Sequence, residues 1–591
     1  MALTETSPDA PASPPPPPEE PASSAAVHLS LGSGAAGNDH KGIGAGFLAV
    51  AMVFLVVGGV LAALMRVQLT AADTDFANVR QYRQLFTYHG TVLVFLFLVP
   101  AWVGLATAIV PLQIGAARLA FPRLQSLALW LTVVGGAFVV ASPWVRGGKR
   151  VVSGWTLSYP VPEGRGFRGD SVEFLVLGLA IVLGAAVLAV ANLMTTIVKL
   201  RPEGMTTRRL PLFSWSVLVS GAVLLLALPV LIAGFLMIFV DHHYGGHLFN
   251  GLTSSRGGNP LAWPRLFWFG AYPMLWGLLL PALGVVSEVV PVFARHRIAD
   301  RHRAMTAMAA IGILAFAGWG SEVRNLKDAR PLFVLGALAV LAPAASLMVN
   351  WLLTLREGAR EVQEVHEDGV ERLRSSFSAN PMLLCLGLLP VLGLGLAAGA
   401  VSALGATTRF HSNYWQVGQQ HLLYFVPATI GVVAAVHYWA HKLWARHLSA
   451  PAGKLELLLI VGGSLLGFTC ALILGLQDMT IHTVTYTSSD NWQLANIGVS
   501  LGTAGVVAGV LVFLLDLLVS VVARQGRLAE DDPWGGHTLE WAATTPPPHH
   551  NFDRLPEIRS DTPVLDLRQA EATAATTPEA ATEKAEAEVS A

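Results

Sequence analysis

The chain has 591 residues, of which 53% are hydrophobic and 13% charged, too few charges to solvate the surface of a soluble protein of this size, so the lipid bilayer is the expected solvent. A net charge of −1, with its charges gathered in loops and at the two ends, leaves no basic field for nucleic acid. The two cysteines, Cys385 and Cys470, lie inside apolar runs without CxxC spacing, which supports neither a disulfide framework nor a cysteine metal site.

Residues 1–40 are rich in Pro, Ala and Ser, including Pro14 to Pro18, and bury too little apolar surface to offset chain entropy; they read as a disordered tail. No basic stretch leads directly into an apolar one as a cleavable signal peptide requires, so the first hydrophobic run is expected to remain as a helix. Twelve apolar runs follow, near 43–66, 85–113, 122–145, 171–198, 212–240, 262–294, 304–320, 331–355, 381–405, 419–441, 455–477 and 492–523. Roughly 20 residues at 1.5 Å rise cross the ~30 Å hydrocarbon layer. The expected fold is therefore all-α, a polytopic membrane bundle of about twelve helices over residues 41–525. The polar, Pro-rich and Ala/Glu-rich segment 526–591 reads as a mostly disordered tail. An even number of spans puts both termini on one side. The arginine-dense loops Lys199 to Arg209 and Arg295 to Arg303 assign that side to the cytoplasm, although Arg146, Lys149 and Arg150 lie in an opposite loop.

Ionisable residues inside such runs are costly and face the protein interior, a cavity or a cofactor. His89 stands near the start of the second run, in Phe86-Thr87-Tyr88-His89-Gly90-Thr91, and His421 opens the tenth, in Gln419-Gln420-His421-Leu422. One histidine on each of two facing helices provides the axial ligands of a buried low-spin heme. A lone helical histidine is more often a core residue bonded to a backbone carbonyl, and the residues alone leave both readings open. His242, His243 and His247 cluster beyond the fifth run, where a solvated loop is favoured over a metal site.

The stretch from His89 through Val110-Pro111-Leu112-Gln113-Ile114-Gly115-Ala116 to Phe121-Pro122-Arg123-Leu124 resembles the second and third helices of heme-copper oxidase subunit I, whose motifs read MHGT, VPLQIGA and AFPRL. His411-Ser412-Asn413-Tyr414-Trp415-Gln416-Val417-Gly418-Gln419-Gln420-His421 is similar to the tenth-helix segment HDTYFVVAHFHY. The resemblance covers about residues 40–525. It implies that His89 and His421 are the axial ligands of the low-spin heme and that Arg66 contacts that heme's edge.

It also exposes departures. The family reduces dioxygen at a second, high-spin heme facing a copper ion held by three histidines, one of them joined to a tyrosine. The high-spin heme's histidine falls on Gln419. Registered on Pro273 and Pro281, the motif GHPEVY puts Tyr272 at the first copper histidine, Met274 at the inner glutamate of a proton channel and Trp276 at the cross-linked tyrosine. The paired histidines of WAHH fall on Ser321 and Glu322. The aspartate of GAPDMAFPRL falls on Arg118, the lysine of PTGIK on Leu347, and the paired arginines near the heme propionates on Ile481 and His482.

The resemblance thus implies one low-spin heme and no copper, with electron transfer inside a larger respiratory complex of a bacterial-type inner membrane. The donor is a cytochrome c, a quinol or another redox subunit. Two alternatives stand beside this reading: a working terminal oxidase with unusual ligands such as His242, His243 or His247, and a heme-free structural subunit.

Overall fold

The computed structural model describes residues 39–145, 154–157, 170–249, 258–323, 330–365, 369–404, 410 and 412–575. The tail expected at 1–40, His411 and the basic residues Arg146, Lys149 and Arg150 lie almost wholly outside them. The fold is an all-α membrane bundle. Among the described residues, eleven helices are long and apolar enough to cross a bilayer. In chain order the helices are α1 His40–Leu69, α2 Val79–Ile114, α3 Pro122–Trp144, α4 Asp170–Lys199, α5 Leu212–His243, α6 Ala262–Phe293, α7 Arg301–Leu314, α8 Arg330–Val365, α9 Gly369–Phe377, α10 Asn380–Leu404, α11 Tyr414–Trp444, α12 Ala450–Leu476, α13 Gln493–Val522 and α14 Pro563–Ala575.

The run expected at 304–320 is the one that does not form a single continuous helix of that length. The helix α7 stops at Leu314, and a 3₁₀ turn, Trp319–Glu322, follows. Gly318 faces the Tyr272 ring so closely that an added Cβ would lie 2.7 Å from it. The Ser321 hydroxyl donates to the Gly318 carbonyl at 2.7 Å, offering the backbone a local partner in place of the helical one.

Helix starts carry polar caps. Asn78 and Gln81 form a reciprocal capping box on α2, Asp300 accepts from Arg303 N on α7, and the Asn413 side chain accepts from Trp415 N on α11, satisfying orphan N–H donors. The helices α2, α6 and α11 are almost wholly buried, whereas the others turn one face outward. Leu494, Ile313 and Leu404 are among the exposed apolar side chains, as expected where lipid is the solvent. Close crossing depends on small residues. A Cβ on Gly431 of α11 would lie 2.4 Å from the Ala282 Cβ of α6, so glycine sets how near the two central helices approach.

The polar segment after Arg524 corrects the sequence expectation of disorder over residues 526–575. It folds back against the bundle as a strap, with Leu539, Glu540 and Asn551 fully buried and Trp541 2% exposed. Its carbonyls at Asp531 and Ala543 each accept from the Lys442 ammonium at 2.7 Å. Asn551 donates to the Ala116 carbonyl at 2.7 Å. Glu540 accepts from Gln113 at 3.0 Å and from the Trp439 indole at 3.2 Å. Average polarity concealed a short Leu-Glu-Trp cluster whose partners are supplied by helix ends distant in sequence. Residues 576–591 lie outside the described residues.

Candidate functional site

The sequence-predicted ligands meet. His89 on α2 and His421 on α11 face each other with ring centroids 6.4 Å apart and planes 12° from parallel. His89 Nδ1 donates to the Gly58 carbonyl at 3.0 Å, and His421 Nδ1 to the Val417 carbonyl at 2.7 Å. A carbonyl only accepts, so each Nδ1 carries the proton and each Nε2 keeps its lone pair, which is the ligating tautomer. Both helices depart from α geometry beside the histidine, with a π segment Val92–Leu98 after His89 and another, His421–Phe425, beginning at His421. Such π segments are frequent at functional sites.

The rings border a cavity of about 280 Å³, near the lower end of the roughly 300–1,000 Å³ usual for cofactor pockets. Its apolar wall includes Phe86, Leu93, Trp155, Phe425 and Phe468. Two metal–nitrogen bonds of about 2 Å, with about 1.1 Å from each nitrogen to its ring centre, span roughly 6.2 Å. The observed separation fits one metal atom held between the two imidazoles. Arg66 lines the same cavity and is held by Asn496 Oδ1 at 2.8 Å, the Asn496 carbonyl at 3.0 Å and Ser500 Oγ at 3.1 Å. Among the described residues no carboxylate pairs with it, so its charge remains available to an anionic group in the cavity. Ile481 also borders the cavity. Burial and the Arg83 guanidinium hold His482 below the ordinary histidine range.

A second, smaller cavity of about 40 Å³ gathers Tyr272, Ser321, Glu322 and Gln419 with Ser402 and Tyr424. Trp276 is fully buried and packs edge-on against Tyr424, with centroids 5.2 Å apart. Glu322 accepts from Gln416 at 3.2 Å. This space holds a few waters rather than a macrocycle, and among the described residues no imidazole lines it. His242, His243 and His247 border neither cavity. His243 ion-pairs with Glu173 at 3.0 Å and stacks on Phe239.

The profile of the family described as Cytochrome C and Quinol oxidase polypeptide I matches residues 42–505. The chain belongs to this family. It is 33% identical over 537 residues to cytochrome c oxidase subunit 1 of Bacillus subtilis (strain 168), covering 90% of this chain and 82% of that protein. It is 30% identical over 537 residues to quinol oxidase subunit 1 of the same organism, covering 90% and 79%. A heme-copper terminal oxidase dimer solved by cryo-EM superposes with a TM-score of 0.67 at 15% identity, covering 82% of this chain and 84% of that one; at that identity the likeness speaks to the fold alone.

Within this oxidase subunit I member, Tyr272, Ser321, Glu322 and Gln419, four of the five residues that the resemblance registers on the family's dioxygen centre, line one small cavity. Trp276 abuts it through Tyr424, although these residues come from α6, the 319–322 turn and α11. Met274 and Leu347, which the resemblance registers on two proton-channel positions, are both fully buried among apolar neighbours. Reading the sequence missed Phe468, which stacks on His421 at 4.3 Å and 19°, and Trp155, whose Cβ an added Cβ on Gly90 would approach to 2.8 Å. Neither carries a polar mark that would lift it above the surrounding apolar residues.

Proposed function

We propose that this oxidase subunit I member holds a single low-spin heme between His89 and His421 and passes electrons within a membrane respiratory complex, without a dioxygen-reducing heme–copper centre of its own. The observation that carries the reading is the pair of near-parallel imidazoles, each fixed by its Nδ1 and offering Nε2 to the shared cavity. A bound heme would supply a reversible one-electron couple there. The chain's own residues do the rest: the Gly58 and Val417 carbonyls hold the two rings in the ligating tautomer, the apolar wall keeps water from the cavity, and Arg66 presents a cation to the anionic edge of the cofactor. A heme held by both His89 and His421 would have no open coordination site for dioxygen.

Copper and a second heme lack suitable donors. Phenol, hydroxyl, carboxyl and amide groups stand at the family's four ligand positions and an indole at its cross-linked tyrosine, and an amide oxygen is a poor substitute for imidazole on iron. The donor is assigned to a cytochrome c, a quinol or a partner subunit, and both termini to the cytoplasmic side, on the resemblance and on the arginine-dense loops.

The test is spectroscopic. Reduced-minus-oxidised and pyridine hemochrome spectra of the purified chain, with and without carbon monoxide, are compared with those of His421→Ala. The expected result is one heme that ignores carbon monoxide in the wild type and is lost in the variant. A carbon-monoxide-sensitive heme would establish a working oxygen site instead, and a heme-free wild type would leave a structural subunit.

A further inference from the structure

Away from both cavities, three chelating side chains converge where α11, α12 and α13 meet. His437, Glu456 and Asp516 are 2%, 0% and 7% exposed, and each offers a ligand atom within 4.8 Å of the others; among the described residues they form the one such group. His437 Nε2 bonds Glu456 Oε2 at 2.8 Å. Asp516 accepts from Ser449 N at 2.9 and 3.1 Å and from Ser520 Oγ at 2.7 Å, so its carboxylate is oriented by the start of α12 and by its own helix. The second Glu456 oxygen is buried without a hydrogen-bond partner, and among the described residues neither carboxylate has a lysine or arginine ion pair. A buried acceptor left unmatched is destabilising, and two buried carboxylates facing one imidazole call for a balancing cation.

We propose that His437, Glu456 and Asp516 bind a divalent first-row transition cation of the Zn²⁺ class. One neutral imidazole, two carboxylates and a dication sum to zero charge. Imidazole and carboxylate oxygen are a usual Zn²⁺ donor set, with bonds of about 2.0–2.2 Å. Ligand atoms on such an ion lie roughly 3–4 Å apart, so the triad closes by about 1 Å on binding. The cation takes the place of the proton that His437 Nε2 shares with Glu456; that proton leaves to solvent and Nδ1 takes one up in exchange, so the imidazole stays neutral. His441 follows His437 by one turn on the same face of α11 and bonds, through Nε2, to Nδ1 of the partly exposed His447 at 2.8 Å.

The full-length chain in detergent is stripped with a chelator, incubated with Zn²⁺ and desalted, and its zinc content is measured by atomic emission. Co²⁺ substitution is followed by ligand-field absorption. Glu456→Gln and His437→Gln are measured in parallel, with monodisperse elution as the check on folding. The expected result is one zinc per chain and a Co²⁺ band in the wild type, with affinity in either folded variant at least about tenfold weaker. Equal zinc in wild type and variants marks adventitious binding at surface histidines and overturns the proposal. A wild type that shows no Co²⁺ band overturns it without recourse to any variant. None of these outcomes depends on the heme content of the first cavity.

Discussion

Trp541→Ala tests whether the C-terminal strap is docked by its single buried indole. The Trp541 ring meets Tyr438 edge-on at 5.1 Å and lies 5.6 Å beneath the Lys442 ammonium. Burying a ring of that size removes roughly 150–250 Å² from water, worth roughly 4–6 kcal/mol at ~25 cal/mol per Å². Alanine retains a little of this and the neighbours relax, so a loss of about 3–5 kcal/mol is expected. The helices pack against one another without the strap, so the loss falls on strap opening, and the open population rises roughly 100- to 1,000-fold or more at ~1.4 kcal/mol per decade. Hydrogen exchange read by mass spectrometry reports this as a matching fall in protection of amides 537–545, with peptides from α3 unchanged as the internal reference. Protection in 537–545 equal to that of wild type would refute the argument, because an undocked segment has nothing to lose.

Glu540 gives the strap a pH dependence. Burial raises its carboxyl above the ordinary range, opposed by the hydrogen bonds from Gln113 and Trp439. A raised folded value means that docking is strongest below the ordinary carboxylate range and weakens as pH rises through the raised value; strap protection factors in wild type therefore fall from pH 5 to pH 8, while Glu540→Gln stays flat, and a flat wild type contradicts this. On the heme reading, Arg66→Gln lowers the midpoint potential. Losing about 1 kcal/mol of stabilisation of the more negative reduced form is about 40 mV for one electron, and spectroelectrochemical titration showing no shift would remove Arg66 from the cofactor's field.

The sequence by itself determined the class of fold and the placement of most helices. A bilayer leaves long apolar helices as one of very few ways to satisfy backbone hydrogen bonds, so eleven of the twelve runs mark spans that begin and end near their expected residues. The same economy made His89 and His421 visible as candidates, since an imidazole in an apolar run needs a partner or a cofactor, and the family's motifs around them supplied the role proposed. Sequence carried less information where structure depends on partners remote along the chain. The run at 304–320 was apolar enough to span, yet it forms a short helix and a 3₁₀ turn where Gly318 packs on Tyr272 and Ser321 bonds the Gly318 carbonyl. The strap looked like a polar tail because Leu539, Glu540 and Trp541 gain their burial from α2 and α11, hundreds or scores of residues away. The triad of His437, Glu456 and Asp516 has no motif, since its members stand on three helices and only packing brings their ligand atoms together. Periodicity and composition record what each segment requires of its solvent; tertiary structure decided which side chains meet, because that depends on the crossing of helices that small residues such as Gly431 allow.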